Sequence, residues 1–311
     1  MARDRFALEH AARHDPLRVR VALISVQLLF GVHYLVAKWI VSEMEPAAWA
    51  CLRVCCSFAV LALLVLLGRR TLPPVRDTLY LGFCSLFGVI LNQALFLEGI
   101  KRTTVGHAAL INSQIPTFAL LAALLLKQES LTARKFLSFL AGVAGVLVLL
   151  EADQLKLSSE YLHGDLLNLA NACSYGLFIV LSRPVMARHD PLAATTVIFL
   201  FGSAGMVLYG ANDLWATDLG SLSDRAVGGM VFAVLGATVL TYFLNYWALK
   251  RTHASHVALY IFMQPVVAAA LGIWLMGDAI TPRFLVATLF VFVALFMRDT
   301  ALPDRQLARN R

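Results

Sequence analysis

Two stretches decide the fold: Lys101-Arg-Thr-Thr-Val-Gly-His-Ala-Ala-Leu110, followed by Pro116, and Lys250-Arg-Thr-His-Ala-Ser-His-Val-Ala-Leu259, followed by Pro265. Aligned over Leu95–Pro116 and Leu244–Pro265, an offset of 149, they are identical at 8 of 22 positions. The identities are Leu95/Leu244, Lys101/Lys250, Arg102/Arg251, Thr103/Thr252, His107/His256, Ala109/Ala258, Leu110/Leu259 and Pro116/Pro265. The likeness runs on through Glu129/Asp278, Thr132/Thr281 and Arg134/Arg283. A second stretch, at offset 145, pairs Phe30 with Tyr175, Gly31 with Gly176, Lys38 with Arg183 and Pro46 with Pro191. Shared apolar composition yields scattered matches. It does not put Lys-Arg-Thr, then His, then Pro at one spacing twice, so the chain reads as an internal duplication.

The composition says what is duplicated. Hydrophobic residues are 59% of the 311 and charged residues 14%; mean hydropathy is +0.74. A water-soluble domain carries about 25% charged residues. This chain lacks polar surface for such a domain and is too apolar to be disordered. An apolar helix crosses a ~30 Å hydrocarbon core in about 20 residues. Ten runs approach that length: Val21–Val41, Ala47–Leu67, Thr78–Gly99, Val105–Leu126, Thr132–Leu150, Leu166–Ala187, Leu192–Gly210, Ala226–Leu249, Ala254–Met276 and Arg283–Met297. They are uniformly apolar rather than alternating, which argues against a transmembrane β-barrel. The expected fold class is therefore all-α, a polytopic membrane protein with ten transmembrane helices.

Five spans fall in each copy. An odd number makes the second copy enter the membrane from the opposite side, giving two inverted five-helix repeats with a site between them near the bilayer midplane. The expected division is 1–20 as an N-terminal segment, 21–150 as the first repeat, 151–163 as an outer linker, 164–298 as the second repeat and 299–311 as a tail. The Arg-rich first 20 residues lack a signal-peptide core. With the N-terminus inside, 19 of the 26 Lys and Arg face the cytoplasm, five lie outside, and Lys38 and Arg53 fall within spans. That bias places both termini in the cytoplasm. Trp39, Trp49, Trp215 and Trp274 then mark the outer interface. In a soluble protein the +7 net charge would suggest nucleic acid. Here it is topological, and no nucleic-acid partner is expected.

The quoted residues resemble the EamA repeat of the drug/metabolite transporter superfamily: Lys101 to Leu110, Pro116, Glu129-Ser-Leu-Thr132, and Pro46 with Leu52-Arg53, with Lys250 to Ser255, Pro265 and Asp278 in the second copy. The resemblance covers about residues 20–298. It implies ten helices, both termini inside, a bacterial inner-membrane location and export of small metabolites, often amino acids or analogues. It departs at His107 and His256, where a small or amide residue is expected, and at Asp278, which replaces Glu.

Ionisable groups at membrane depth suggest function. His33, Lys38, Arg53 and Glu98 qualify. One reading has Lys38 snorkelling outward and Arg53 tied to Glu98; the other has Arg53 or Lys38 holding a substrate carboxylate and Glu98 carrying a proton. Arg53 and Glu98 are thus the gating or charge-binding candidates. Helical spacing aligns Asn168, Asn171, Tyr175 and Ser182 on helix six, His107, Ile111 and Gln114 on helix four, and His253, His256, Tyr260 and Gln264 on helix nine. The repeat maps Phe178 onto His33. The expected cavity lining is His33, Asn92, Gln114, Asn171, Tyr175, Asn245, Tyr260 and Gln264. His107 and His256 read as interface histidines or as pH-sensitive gates, and Pro116 and Pro265 as matched bends.

No Walker loop, His/Cys metal cluster or GxSxG elbow occurs. The five cysteines lie in apolar runs without metal-ligand spacing. No cofactor, metal or catalysis is expected. The leading function is secondary transport, exporting a small polar metabolite by alternating access. The partners are that substrate and the lipid bilayer, and a homodimer is compatible with the sequence. The rivals are an enzyme acting on lipid head groups and a non-transporting scaffold.

Overall fold

The computed structural model describes residues 16–149, 159–276 and 282–299. Most of the expected N-terminal segment, most of the linker, the tail beyond Asp299 and Asp278 lie outside the described residues. Those described are almost entirely helical, with no strand among them. The chain runs α1 (Pro16–Glu43), α2 (Pro46–Leu67), α3 (Val75–Ser85), α4 (Leu91–Arg102), α5 (Val105–Asn112), α6 (Ile115–Leu125) and α7 (Ala133–Leu149). It continues as α8 (Ser159–Met186), α9 (Pro191–Ala216), α10 (Asp224–Val234), α11 (Thr241–Leu249), α12 (Ala254–Leu259), α13 (Met263–Met276) and α14 (Pro282–Asp299).

Pro46 and Pro191 each open a helix, where the missing N–H costs nothing and the fixed φ suits the first turn. Asp190 caps α9 by accepting from the N–H groups of Leu192 and Ala193, both at 3.1 Å. A π-helical turn, Leu86–Ile90, joins α3 to α4, and another, Leu235–Leu240, joins α10 to α11. Their starts are separated by the offset of 149 that aligns the two quoted stretches. The fourth and ninth apolar runs also break at equivalent places: α5 ends before Ser113 and Gln114, and a 3₁₀ turn, Tyr260–Phe262, separates α12 from α13. The expected bends therefore occur just ahead of Pro116 and Pro265.

Among the described residues, seven helices are long and apolar enough to cross a bilayer: Leu17–Glu43, Pro46–Leu67, Val75–Arg102, Ala108–Leu125, Tyr161–Met186, Pro191–Ala216 and Asp224–Leu249. Ala254–Val267 and Leu285–Met297 are shorter apolar helices, as is α7. Leu208 and Leu125 are 90% and 81% exposed, as expected where the outer solvent is lipid rather than water. This is a multi-pass membrane protein.

The halves interlock. Helix α1 packs on α10, α11 and α13, while α8 packs on α4, α5 and α6. The equivalent rods α2 and α9 lie along each other, as do α7 and α14. Polar ties gather at two faces. At the distal face, Lys101 pairs with Glu45 at 2.6 Å, the Ser223 hydroxyl donates to Glu43 at 2.8 Å, and the Thr103 hydroxyl donates to Asp165 at 2.6 Å. At the proximal face, Arg188 reaches Asp77 at 3.1 Å and Lys250 donates to the His189 carbonyl at 2.9 Å.

The Lys38 ammonium reaches the distal face. Its Nζ donates to the carbonyls of Ile100 (2.7 Å) and Thr103 (2.9 Å), closing the C-terminal end of α4, where carbonyls lack helical partners. Its equivalent, Arg183, donates from Nε to the carbonyl of Thr252, the equivalent of Thr103, at 3.2 Å. The same tie is thus made at opposite faces of the molecule. The tryptophans divide: Trp215 is exposed, Trp39 is half-buried beneath the Arg225 guanidinium, and Trp49 is fully buried in helix packing rather than at an interface. The side chain of Trp274 lies outside the described residues.

The close approach of α2 and α9 supplies a stability test. A Cβ on Gly210 would collide with the backbone carbonyl of Ala47, whereas nothing lies within 4 Å of one on Gly228. Gly210→Ala is expected to destabilise by about 1–3 kcal/mol. Gly228→Ala should be neutral or stabilising by up to ~1 kcal/mol. Thermal melting of the detergent-solubilised variants checks the contrast.

Candidate functional site

A cavity lies between the halves, with about 80 Å³ of space open to the centre of a water molecule. At roughly 10–15 Å³ per water by this measure, it holds several waters or one small solute. Its wall comes from α1 (Gln27, Phe30, His33, Tyr34), α2 (Arg53), α4 (Asn92, Gln93, Phe96), α5 and α6 (Asn112, Ile115), α8 (Asn171, Tyr175, Ile179), α11 (Tyr242, Asn245, Tyr246, Leu249), and residues 257–264 (Val257, Ile261, Gln264). At 1.5 Å per residue, Arg53 lies roughly 10 Å below the distal start of α2, and Gln264 roughly 15 Å above the proximal start of α12. The site is at mid-depth.

Its polar groups form three networks. Asn92 donates to Asn171 (2.7 Å), Asn171 to Asn112 (2.8 Å), Asn112 to Asn168 (3.2 Å), and Asn168 to the Gly164 carbonyl (2.9 Å). Gln264 donates to Gln27 (2.8 Å) and accepts from the Tyr34 hydroxyl (3.1 Å), bridging the halves. The third network centres on Arg53, which is 1% exposed. Its Nε donates to the Thr238 hydroxyl (2.8 Å), Nη1 to His33 Nε2 (2.9 Å) and to Gln93 (3.0 Å), and Nη2 to the Ala237 carbonyl (3.3 Å).

The π turns supply part of this chemistry. A wide turn releases carbonyls from the i→i−4 ladder. The Ala237 carbonyl takes Arg53, and the Gly88 carbonyl, in the matching turn, accepts from the Tyr242 hydroxyl at 2.8 Å. Gly88 is required there because a Cβ would run into the Phe178 ring. Around it, Tyr175, Phe178, Phe199, Tyr242 and Tyr246 stack edge-on or tilted, with ring centres 4.9–6.4 Å apart.

Of the residues singled out in the sequence, His33, Asn92, Asn171, Tyr175, Asn245, Gln264 and Arg53 meet in this wall. Gln114, Tyr260 and Glu98 do not. Gln114 sits in the break between α5 and α6, where its side chain bonds its neighbours Ser113 and Thr117, both at 3.4 Å. Tyr260 lies in the 3₁₀ turn, buried against the His256 ring at 5.6 Å. On these two runs the wall is the face of Asn112 and Ile115 and, at the equivalent positions, of Ile261 and Gln264, one residue on from the stripes that were counted. Glu98 is not tied to Arg53. It pairs with Arg102 one turn on and accepts from the Tyr209 hydroxyl at 2.9 Å, towards the distal face. The side chain of His107 lies outside the described residues; His256 bonds the Thr252 hydroxyl at 2.9 Å. The sequence reading missed Gln27, Tyr34, Gln93, Asn112, Tyr242 and Tyr246. A signal existed for two of them: Tyr242, Asn245, Tyr246 and Leu249 follow i, i+3, i+4, i+7, one helical face.

Beneath the cavity the proximal face is closed by Glu129, between α6 and α7. Its carboxylate pairs with Lys135 (3.0 Å) and accepts from the Ser255 hydroxyl (2.6 Å) and N–H (3.1 Å) at the start of α12. Burial pushes the Glu129 pKa up. The Ser255 bonds, Lys135 and His253 outweigh it, and the net direction is down.

Known proteins add a family. The model of the EamA-like transporter family matches residues 19–151 and 162–298. The uncharacterized transporter YoaV of Bacillus subtilis is 22% identical over 94% of this chain and all of its own length. An uncharacterized transporter of Archaeoglobus fulgidus is 21% identical over 89% of this chain and 97% of its own. A WAT1-related protein of Arabidopsis thaliana is 18% identical, covering 92% and 85%. A solved crystal structure with 20% identity superposes with a TM-score of 0.73 over 93% of this chain and 98% of its own, a likeness of fold.

The Glu129 closure predicts a pH dependence. A carboxyl whose folded pKa is depressed stabilises the fold above its unfolded pKa, and that contribution is lost as pH falls through the folded value. Glu129→Gln leaves Lys135 buried without its partner and is expected to cost about 3 kcal/mol at neutral pH. The deficit relative to the unaltered protein should shrink on acidification below the ordinary carboxylate range. Melting temperatures from pH 7 to pH 3 test both parts.

Proposed function

The chain belongs to the EamA-like transporter family, and we propose that it is a secondary transporter exporting a small polar metabolite of amino-acid size through the central cavity by alternating access. In this reading ten helices cross the inner membrane of a bacterium as two inverted five-helix repeats. The proximal face and both termini are cytoplasmic. His33, Asn92, Asn171, Tyr175, Asn245 and Gln264 contact the substrate, and Arg53 binds charge.

The observation that carries the reading is a polar cavity at mid-depth, walled by both halves, whose matched ties Lys38–Thr103 and Arg183–Thr252 lie at opposite faces. Inverted repeats enclosing a midplane site are how many secondary carriers reach two states. Exchanging the conformations of the two halves opens the cavity to the other side. The lysine and arginine bias, heavy at the proximal face, supports the orientation. A head-group enzyme would need Glu98 beside Arg53 as its catalytic pair, and Glu98 instead meets Arg102 and Tyr209.

Counterflow in proteoliposomes tests the reading. Vesicles loaded with an unlabelled mixture of amino acids and small organic acids are diluted into tracer amounts of each labelled compound. Transient accumulation above protein-free vesicles is expected for at least one compound. A protein inert across the panel would be a scaffold rather than a carrier.

A further inference from the structure

We propose that the cavity selects a small monoanion, a single carboxylate on a compact apolar body, over the zwitterion or the cation of the same shape. The inference rests on the transport reading for its setting, but its observations concern binding alone.

Arg53 is the one charged side chain in the cavity wall among the described residues. All four of its partners are neutral: the Thr238 hydroxyl, His33, Gln93 and the Ala237 carbonyl. Dipoles solvate a buried cation but do not cancel its charge, and an uncompensated ion in a low-dielectric interior is costly. A guanidinium has five N–H donors. Four are engaged by these acceptors, which leaves one on Nη2.

Two further groups of the wall can donate as well. Arginine only donates, so His33 Nε2 must accept, and the proton of the neutral ring sits on Nδ1. That Nδ1 has no hydrogen-bond partner among the described residues, and neither does the Tyr246 hydroxyl. Both residues belong to the cavity wall and are 3% and 2% exposed. The wall therefore offers unspent donors and one positive charge. A carboxylate accepts hydrogen bonds only and brings the missing charge. An ammonium group needs acceptors and a counter-charge, and the described wall contains no Asp or Glu. A zwitterion gains at Arg53 but must bury its ammonium beside neutral amides and rings. Phe30, Phe96, Ile179 and Ile261 suit the apolar body.

A charge series on constant shapes decides this. The purified full-length protein is titrated with 4-methylpentanoate, L-leucine, 3-methylbutylamine and 4-methylpentanamide, and with 3-phenylpropanoate, L-phenylalanine and phenethylamine. Binding is read from the ligand-dependent rise in melting temperature. At least one carboxylate should bind roughly tenfold or more tightly than its zwitterion, one charge-assisted interaction's worth, and the amines should not bind. Arg53→Met should abolish the preference. Tyr246→Phe removes a hydroxyl with no hydrogen-bond partner among the described residues, so it should leave the unliganded melting temperature intact while weakening carboxylate binding roughly threefold to tenfold. If Arg53→Met does not fold, the series on the unaltered protein and on Tyr246→Phe still decides. Equal or tighter binding of a zwitterion or amine, or binding of none of the compounds, overturns the proposal. Carboxylate binding without counterflow would sink the transport reading and leave the anion site standing; counterflow of zwitterions alone would do the reverse.

Discussion

A membrane interior offers no water to a stray N–H or C=O, so backbone in lipid must satisfy itself or be satisfied by protein. The two π turns among the described residues obey that constraint. The π turns at Leu86–Ile90 and Leu235–Leu240, the break after Asn112 and the 3₁₀ turn at Tyr260–Phe262 all lie at or beside the central cavity. In each π turn one carbonyl loosened from the ladder is met by a side chain of the other half. Gly88 hands its carbonyl to Tyr242 and Ala237 hands its own to Arg53. The cavity thus exists where regular helix is given up, and the residues that repair the loss become its wall.

The same constraint explains the interlock. Two five-helix bundles packed side by side would bury only lateral faces. Here α1 is inserted against α10, α11 and α13, and α8 against α4, α5 and α6, so each half completes the other's wall. The amide bridge from Gln264 to Gln27 and Tyr34 is a direct consequence, since residues 237 and 230 positions apart meet only through that exchange.

Much of this was legible in the sequence. Lys101-Arg-Thr and its copy gave the duplication, and the structure resolves it into equivalent helix ends fastened by Lys38 and Arg183. Single-face counting found Asn171 and Tyr175 because α8 is continuous from Ser159 to Met186. It failed for Gln114 and Tyr260 because the wall takes the neighbouring face, Asn112 with Ile115 and Ile261 with Gln264, and a proline in an apolar run announces a break without fixing the residue at which it falls. Glu98 and Arg53 looked like partners because both are rare charges at similar depth. Depth along a rod says nothing about azimuth, and Glu98 instead meets Arg102 and Tyr209. The π turns left no recognisable mark.

Where the halves differ is as informative as where they agree. Extending the offset of 145 from Pro46/Pro191 puts Ile198, fully buried, at the place equivalent to Arg53. The scaffold, with its turns, breaks and end ties, is repeated; the charge is not. In the proposed carrier, repetition gives two conformations of similar energy, because each half can take the other's shape. The single arginine breaks that equivalence at one point only. In that reading it would anchor a substrate to the first half's α2, while its hydrogen bonds to Thr238 and Ala237 reach the second half's π turn. An anion drawing that guanidinium towards itself competes with the π-turn bonds, so substrate binding acts directly on a contact between the two moving parts.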